Sequence, residues 1–211
     1  MLILIWAVAG IVVGFLIWRF QLWLTHREEL KGSRSWPLYG VMVVVPLLFA
    51  LLARQLGWGS ALLIRSLWIA VLVQIASFDL EYRLIVDRVM LPAVGLAVAL
   101  IPLTPGLSWR SGLLAALIAG LIALGIALLG EWIFKADALG LGDVKLVAFI
   151  GLILGMKYSW TALLVGVILA GVVAGALLLL RCKGLRDTIA YGPFLAAGAL
   201  LGLFLMPSQG W

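Results

Sequence analysis

Nine carboxylates are the chain's main stock of catalytic groups, and two of them stand in matching positions. Asp79 closes an apolar stretch in Gln74-Ile-Ala-Ser-Phe-Asp79-Leu-Glu81-Tyr-Arg83-Leu-Ile-Val-Asp87, and Asp143 opens another in Ala138-Leu-Gly140-Leu-Gly142-Asp143-Val-Lys145. Two carboxylates brought into one site cannot both ionise cheaply, so such a pair holds a single proton near neutral pH. The ionised member draws a proton from water, the protonated member hydrogen-bonds a scissile carbonyl, and a proton later reaches the leaving amine. That is aspartic peptidase chemistry. Gly140 and Gly142 fit it, because residues without side chains let a substrate strand approach and tolerate positive φ just before a helix. Helix capping is the competing reading for Asp143 and for Asp87, each of which precedes an apolar run. Asp79 resists that reading, since it ends a helix where the dipole disfavours negative charge.

Other chemistries lack their residues. His26 is the single histidine and Cys182 the single cysteine, and no Gly-x-x-x-x-Gly-Lys-Ser/Thr sequence occurs. A serine triad, a zinc site, a disulfide framework and a phosphate cradle are therefore unsupported. His26 reads as a solvated loop residue and Cys182 as a free thiol, and neither is given a role. No metal and no other cofactor is expected.

The elements that must position the two aspartates are membrane helices. With 65% hydrophobic residues, 11% charged residues and a mean hydropathy of +1.24, the composition is that of an integral membrane protein. A helical span needs about 20 apolar residues. Eight apolar segments can be drawn, over 2–23, 38–56, 61–78, 89–103, 111–133, 144–156, 160–180 and 191–206. The expected fold is all-α, a polytopic bundle of about eight transmembrane helices forming one membrane-embedded domain over 1–211. No segment alternates with period two as a strand would. No basic residue precedes Arg19, so the first segment reads as a retained span and not as a cleavable signal.

The formal charge of +6 belongs to short loops, which argues for topology and against a nucleic-acid partner. With the loop after the first span placed in the cytoplasm, eleven Lys and Arg residues fall on inner ends and four (Arg54, Arg65, Arg110 and Lys157) on outer ends. Both termini are then expected outside. Trp58, Trp109, Trp160 and Trp211 fall at outer turns, as an aromatic belt would place them. All nine carboxylates gather at the cytoplasmic side, Asp79 and Asp143 among them, because an even number of crossings separates those two.

The stretch Asp137-Ala-Leu-Gly140-Leu-Gly142-Asp143-Val-Lys145-Leu-Val-Ala-Phe-Ile-Gly151 resembles the second aspartate region of the type IV prepilin peptidases, a family of Gly-x-Gly-Asp membrane aspartic peptidases. Asp79 to Asp87 resembles the first such region, with Val86 where the family usually has proline. Ile189 to Gly198, containing Gly192-Pro193-Phe194, is similar to a third family segment, and Gly14 to Arg19 more weakly to a first-span motif. The resemblance implies that Asp79 and Asp143 are the catalytic pair, with Gly140, Gly142, Lys145, Asp87 and Asp137 in support. It implies cleavage of the basic leader from prepilins or pseudopilins at the cytoplasmic face of a prokaryotic inner membrane. Glu81, Asp87 and Asp137 would attract that leader. The loop from Thr25 to Pro37 stands where typical members carry a cysteine-containing domain, so their N-methyltransferase activity is not carried over. The competing readings are a Gly-x-Gly-Asp peptidase with another substrate, and a non-enzymatic transporter or scaffold.

Overall fold

A computed structural model describes residues 1–28, 36–134, 140–180 and 190–207. Their regular structure is helical throughout: α1 (Leu2–Arg27), α2 (Trp36–Leu56), α3 (Ser60–Tyr82), α4 (Asp87–Leu100), a 3-10 turn (Ile101–Leu103), α5 (Trp109–Phe134), α6 (Leu141–Leu179) and α7 (Gly192–Leu205). In hydrocarbon no water satisfies the backbone, so apolar runs of this length must close their hydrogen bonds within a helix. α1, α2, α3, α5 and α6 are long and apolar enough to cross a membrane, whereas α4 and α7 have 14 residues each. The chain is thus a polytopic helical membrane protein.

The sixth and seventh expected segments are continuous as α6. At 39 residues a straight helix would be about 58 Å long, nearly twice the hydrocarbon thickness. It is broken instead at Gly155, whose φ of 68° and ψ of 179° lie in a region reserved almost wholly for glycine. The break releases the Met156 N–H, which donates to Ser111 Oγ at 2.9 Å. The expected boundary lay after Met156, beside Lys157; the backbone breaks earlier because glycine tolerates the turn.

Small residues set the helix pairing. A Cβ on Gly10 would lie 2.6 Å from Pro46 Cα, so α1 and α2 touch backbone to backbone. One on Gly151 would lie 2.7 Å from the Ala115 carbonyl, where the first arm of α6 crosses α5. One on Gly198 would lie 2.1 Å from Ala162 O, where the second arm crosses α7. Membrane helices lack a hydrophobic force between them and rely on this close packing.

Helix α3 is the most enclosed of the spanning helices and packs against α1, α2, α4 and α7. Trp68 meets Phe149 edge to face at 5.7 Å between centroids, joining α3 to α6. Arg65 was expected among the outer-end charges, and the fold buries it completely. Its Nη1 donates to Leu203 O at 3.1 Å and Met206 O at 3.0 Å, and its Nη2 to Pro207 O. A buried charge is tolerated because it meets the carbonyl end of α7, the negative end of that helix. Gln55 Nε2 reaches the same end at Phe204 O, 2.7 Å away. Trp58 and Trp109 are exposed, while Trp211 lies outside the described residues.

The α6–α7 crossing leaves no space for a branched side chain. Gly198→Val should lower stability by about 1–3 kcal/mol or more, read as a lower thermal midpoint of the detergent-solubilised protein. Gly171→Val, with no atom near its would-be Cβ, should leave the midpoint nearly unchanged.

Candidate active site

The last turn of α3 carries Asp79, which is 4% exposed. The helix ends at Tyr82, and Arg83 turns left-handed with φ 52° and ψ 41° while its N–H closes onto Asp79 O at 2.8 Å. A short non-helical segment, 84–86, then leads to Asp87 at the start of α4. The dipole objection to Asp79 is answered by a different helix. α7 begins at Gly192, and the Gly192 N–H donates to the Asp79 carboxylate. The positive end of α7 thereby offsets the negative end of α3. A Cβ on Gly192 would lie 2.6 Å from Asp79 Oδ2 and 3.0 Å from its Cγ, so any larger residue there would displace the Asp79 carboxylate. Asp79 Oδ2 itself has no hydrogen-bond partner among the described residues.

Asp143 is the third residue of α6, after the N-cap Gly140. Its carboxylate reaches back to the Gly140 N–H, the second half of a capping box. The capping reading of Asp143 therefore holds in an altered register: it satisfies the N-cap amide and is not itself the cap. Asp143 is half-buried, and its charge acts directly on Asp79. The fold thus brings together the two carboxylates that sequence spacing singled out.

Two expectations about their neighbours need correction. Gly140 has φ −67° and ψ 147°, and Gly142 is not among the positive-φ glycines, so left-handed backbone explains neither. Close approach explains Gly142: a Cβ there would lie 3.0 Å from Ile85 Cβ. Asp87 does not cap α4, whose N-cap is Val86 without a side-chain bond. It pairs instead with Lys145 Nζ at 2.6 Å, tying α4 to α6 beside Asp143. Arg88 is taken up by Glu28 at 2.9 Å, and Glu81 hydrogen-bonds Tyr82, whose hydroxyl lies 3.3 Å from Thr25 Oγ1. His26 is exposed. Asp137, Cys182 and most of the loop 25–37 lie outside the described residues. Among the described residues no group of three or more His, Cys, Asp or Glu is placed to hold a metal.

Sequence reading left Gly192 out of the site, although its Gly-Pro dipeptide marks a helix start. Nothing local in that dipeptide says which carboxylate it faces. A buried polar seam was also missed: Gln21 Nε2 donates to Ser77 Oγ, and Ser77 Oγ to Gln74 O at 3.1 Å.

A sequence profile of the type IV leader peptidase family matches residues 66–180, more than half of the chain. The chain belongs to that family. The matched region contains both aspartates, Gly140, Gly142, Asp87 and Lys145. Among relatives, the chain is 30% identical over 202 residues to the prepilin leader peptidase/N-methyltransferase of Aeromonas hydrophila, covering 86% of this chain and 63% of that one. It is 28% identical to the protein of the same name from Bacillus subtilis (strain 168), over 75% of this chain and 62% of the relative. The Myxococcus xanthus (strain DK1622) protein of that name is 32% identical, over 75% and 48%. This type IV leader peptidase family member therefore spans less than two thirds of the length of these relatives. No solved structure matches it.

The contacts rank these neighbours. Gly192→Ala should cost about 1–3 kcal/mol, because Asp79 must move to admit the methyl group. Lys145→Met should cost no more than about 1 kcal/mol, since the pair it breaks is half exposed. Thermal unfolding of the two variants side by side checks the order.

Proposed function

We propose that the protein is a membrane aspartic endopeptidase of the inner membrane of a prokaryote, removing the basic leader of prepilins or pseudopilins at the cytoplasmic face through Asp79 and Asp143. The observation that carries this reading is an enclosed carboxylate with one unpartnered oxygen, Asp79 Oδ2, under the charge of a second carboxylate. The family membership and the names of the relatives support the substrate class.

The chemistry follows from the pair. One carboxylate, ionised, takes a proton from a water molecule as that water attacks the scissile carbonyl carbon. The other, protonated, hydrogen-bonds the carbonyl oxygen and stabilises the charge that develops there. Collapse of the tetrahedral intermediate breaks the C–N bond, the leaving amine receives a proton, and the pair returns to its single-proton state. Asp79 is held for this by the Gly192 N–H, and Asp143 by the Gly140 N–H. Gly142 lets Ile85 close on the α6 start, and the Asp87–Lys145 pair ties α4 to that same turn.

A substrate with a Lys/Arg-rich leader before an apolar helix would pack that helix laterally in the bilayer and present its leader junction at the boundary. Glu81, Asp87 and Asp137 are the proposed attractors for the leader. Asp87 already faces Lys145, so its share is the smallest. The transporter alternative asks for carboxylates deep within the spans. Among the described residues the buried ionisable side chains of α1 and α3, Arg65 and Asp79, stand toward the ends of α3, and the other buried polar side chains there are amides and hydroxyls, which favours the peptidase. Methyl transfer is not included in the proposal.

Co-expression with candidate prepilins, followed by mass spectrometry of the mature N-terminus, tests the reading. Wild type should release the leader, and Asp79→Asn and Asp143→Asn should each reduce cleavage by at least about a hundredfold while the protein still folds. Persistent cleavage in both variants would sink the catalytic assignment. A product one methyl group heavier than the cleaved chain would add methyl transfer.

A further inference from the structure

Gln74 sits deep in α3 and is 5% exposed, yet neither its Nε2 nor its Oε1 has a hydrogen-bond partner among the described residues. Its neighbours in the polar seam are provided for. Gln21 donates to Ser77, and Ser77 donates to the Gln74 main-chain carbonyl, so the seam satisfies itself around an amide it leaves open. A buried amide without partners costs a few kcal/mol in an apolar setting, and α3 gains nothing structural from keeping one.

The amide lines a narrow cleft with Ile75 and Phe78 on α3 and with Leu84, Ile85 and Val86 of the non-helical segment. The cleft has room for about one water-sized group, which is the size of a single peptide N–H or C=O. Two of its lining residues link it to the segments that carry the aspartates. Phe78 immediately precedes Asp79, and Ile85 is the residue against which Gly142 closes, one position before Asp143.

A peptide bond inside a helix is shielded from attack, so the substrate must be extended at the leader junction, before its apolar helix begins. The main-chain N–H and C=O groups of that extended stretch then meet apolar cleft walls that cannot satisfy them. A primary amide offers a donor and an acceptor in the same plane, as a peptide group does. We propose that the Gln74 side chain hydrogen-bonds a main-chain peptide group of the extended leader junction, and is a positioning residue for the cleavage. This rests on the peptidase reading above and adds to it the mode by which an extended substrate is held.

The test uses purified protein in liposomes with a synthetic prepilin peptide, a Lys/Arg-rich leader joined to an apolar helix. Gln74→Leu should raise KM about tenfold with kcat changed less than twofold, as the loss of one hydrogen bond predicts. Its thermal midpoint should equal or exceed the wild type's, because an unsatisfied amide is gone. Ser77→Ala is the contrast: it orphans the Gln21 amide, so it should lower the midpoint and leave KM unchanged. An unchanged KM in Gln74→Leu overturns the proposal, and a lowered midpoint with that unchanged KM identifies a structural water site in its place. A second arm separates this inference from the peptidase reading. A photoreactive leucine analogue at Leu84 in the Asp79→Asn protein should crosslink the peptide, and adding Gln74→Leu should reduce the yield about tenfold at subsaturating peptide. Gln74-dependent crosslinking without wild-type cleavage would keep the substrate contact and defeat the peptidase reading. Wild-type cleavage with crosslinking indifferent to Gln74, or no crosslink at all, would defeat the contact.

Discussion

Arg65 and Asp79 stand at opposite ends of α3, each at the end where its charge is unfavourable. The cation is near the positive N-terminus of its own helix and the carboxylate near the negative C-terminus. Antiparallel packing of α7 reverses both. Its carbonyl end takes the Arg65 guanidinium at Leu203, Met206 and Pro207, and its amide end gives the Gly192 N–H to Asp79. The lengths agree, since the two charged residues are 14 positions apart and α7 has 14 residues, about 21 Å of helix. A short helix that could not span a bilayer alone is thereby fixed at both ends by its neighbour, and Asp79 acquires a set position. In a low-dielectric surrounding these end contacts weigh more than they would in water.

The remaining helices bring Asp143 to that position. α5 and α7 hold the two arms of α6 through glycine crossings at Gly151 and Gly198, and the kink at Gly155 lets one helix serve both partners. The first turn of α6 is then pinned from the side by Ile85 against Gly142 and by Asp87 with Lys145. Three helix termini converge there: the end of α3 and the beginnings of α6 and α7, with the start of α4 alongside. Termini carry unsatisfied backbone groups, and a membrane boundary is where such groups and carboxylates can be accommodated together. Among the described residues, Asp79 Oδ2 and the Gln74 amide are left without hydrogen-bond partners.

Much of this was legible in the residues. Apolar run lengths and the absence of alternation gave a helical membrane protein, and the two aspartates at run boundaries gave the pair. Local rules misread their surroundings. Asp87 looks like an N-cap because it precedes an apolar run, yet Lys145, 58 residues later, offers it a better partner. Gly140 and Gly142 look like positive-φ glycines because they precede a helix, yet their backbone is ordinary and the reason for Gly142 is Ile85. Arg65 looks like a topological charge, yet it is enclosed. Each misreading assigned to the residue's own neighbourhood a role that a distant segment supplies.

By itself the sequence determined that the chain lies in a bilayer as helices, and it singled out two carboxylates at the ends of its apolar runs. Hydropathy and residue type are properties of each position and survive without a fold. Only the tertiary structure decided that Gly192 faces Asp79, that Asp143 bonds back to Gly140, and that the Gln74 amide is left open among the described residues. These are relations between segments, set by which helices pack antiparallel and how closely glycine lets them approach, and no local pattern of residues encodes them.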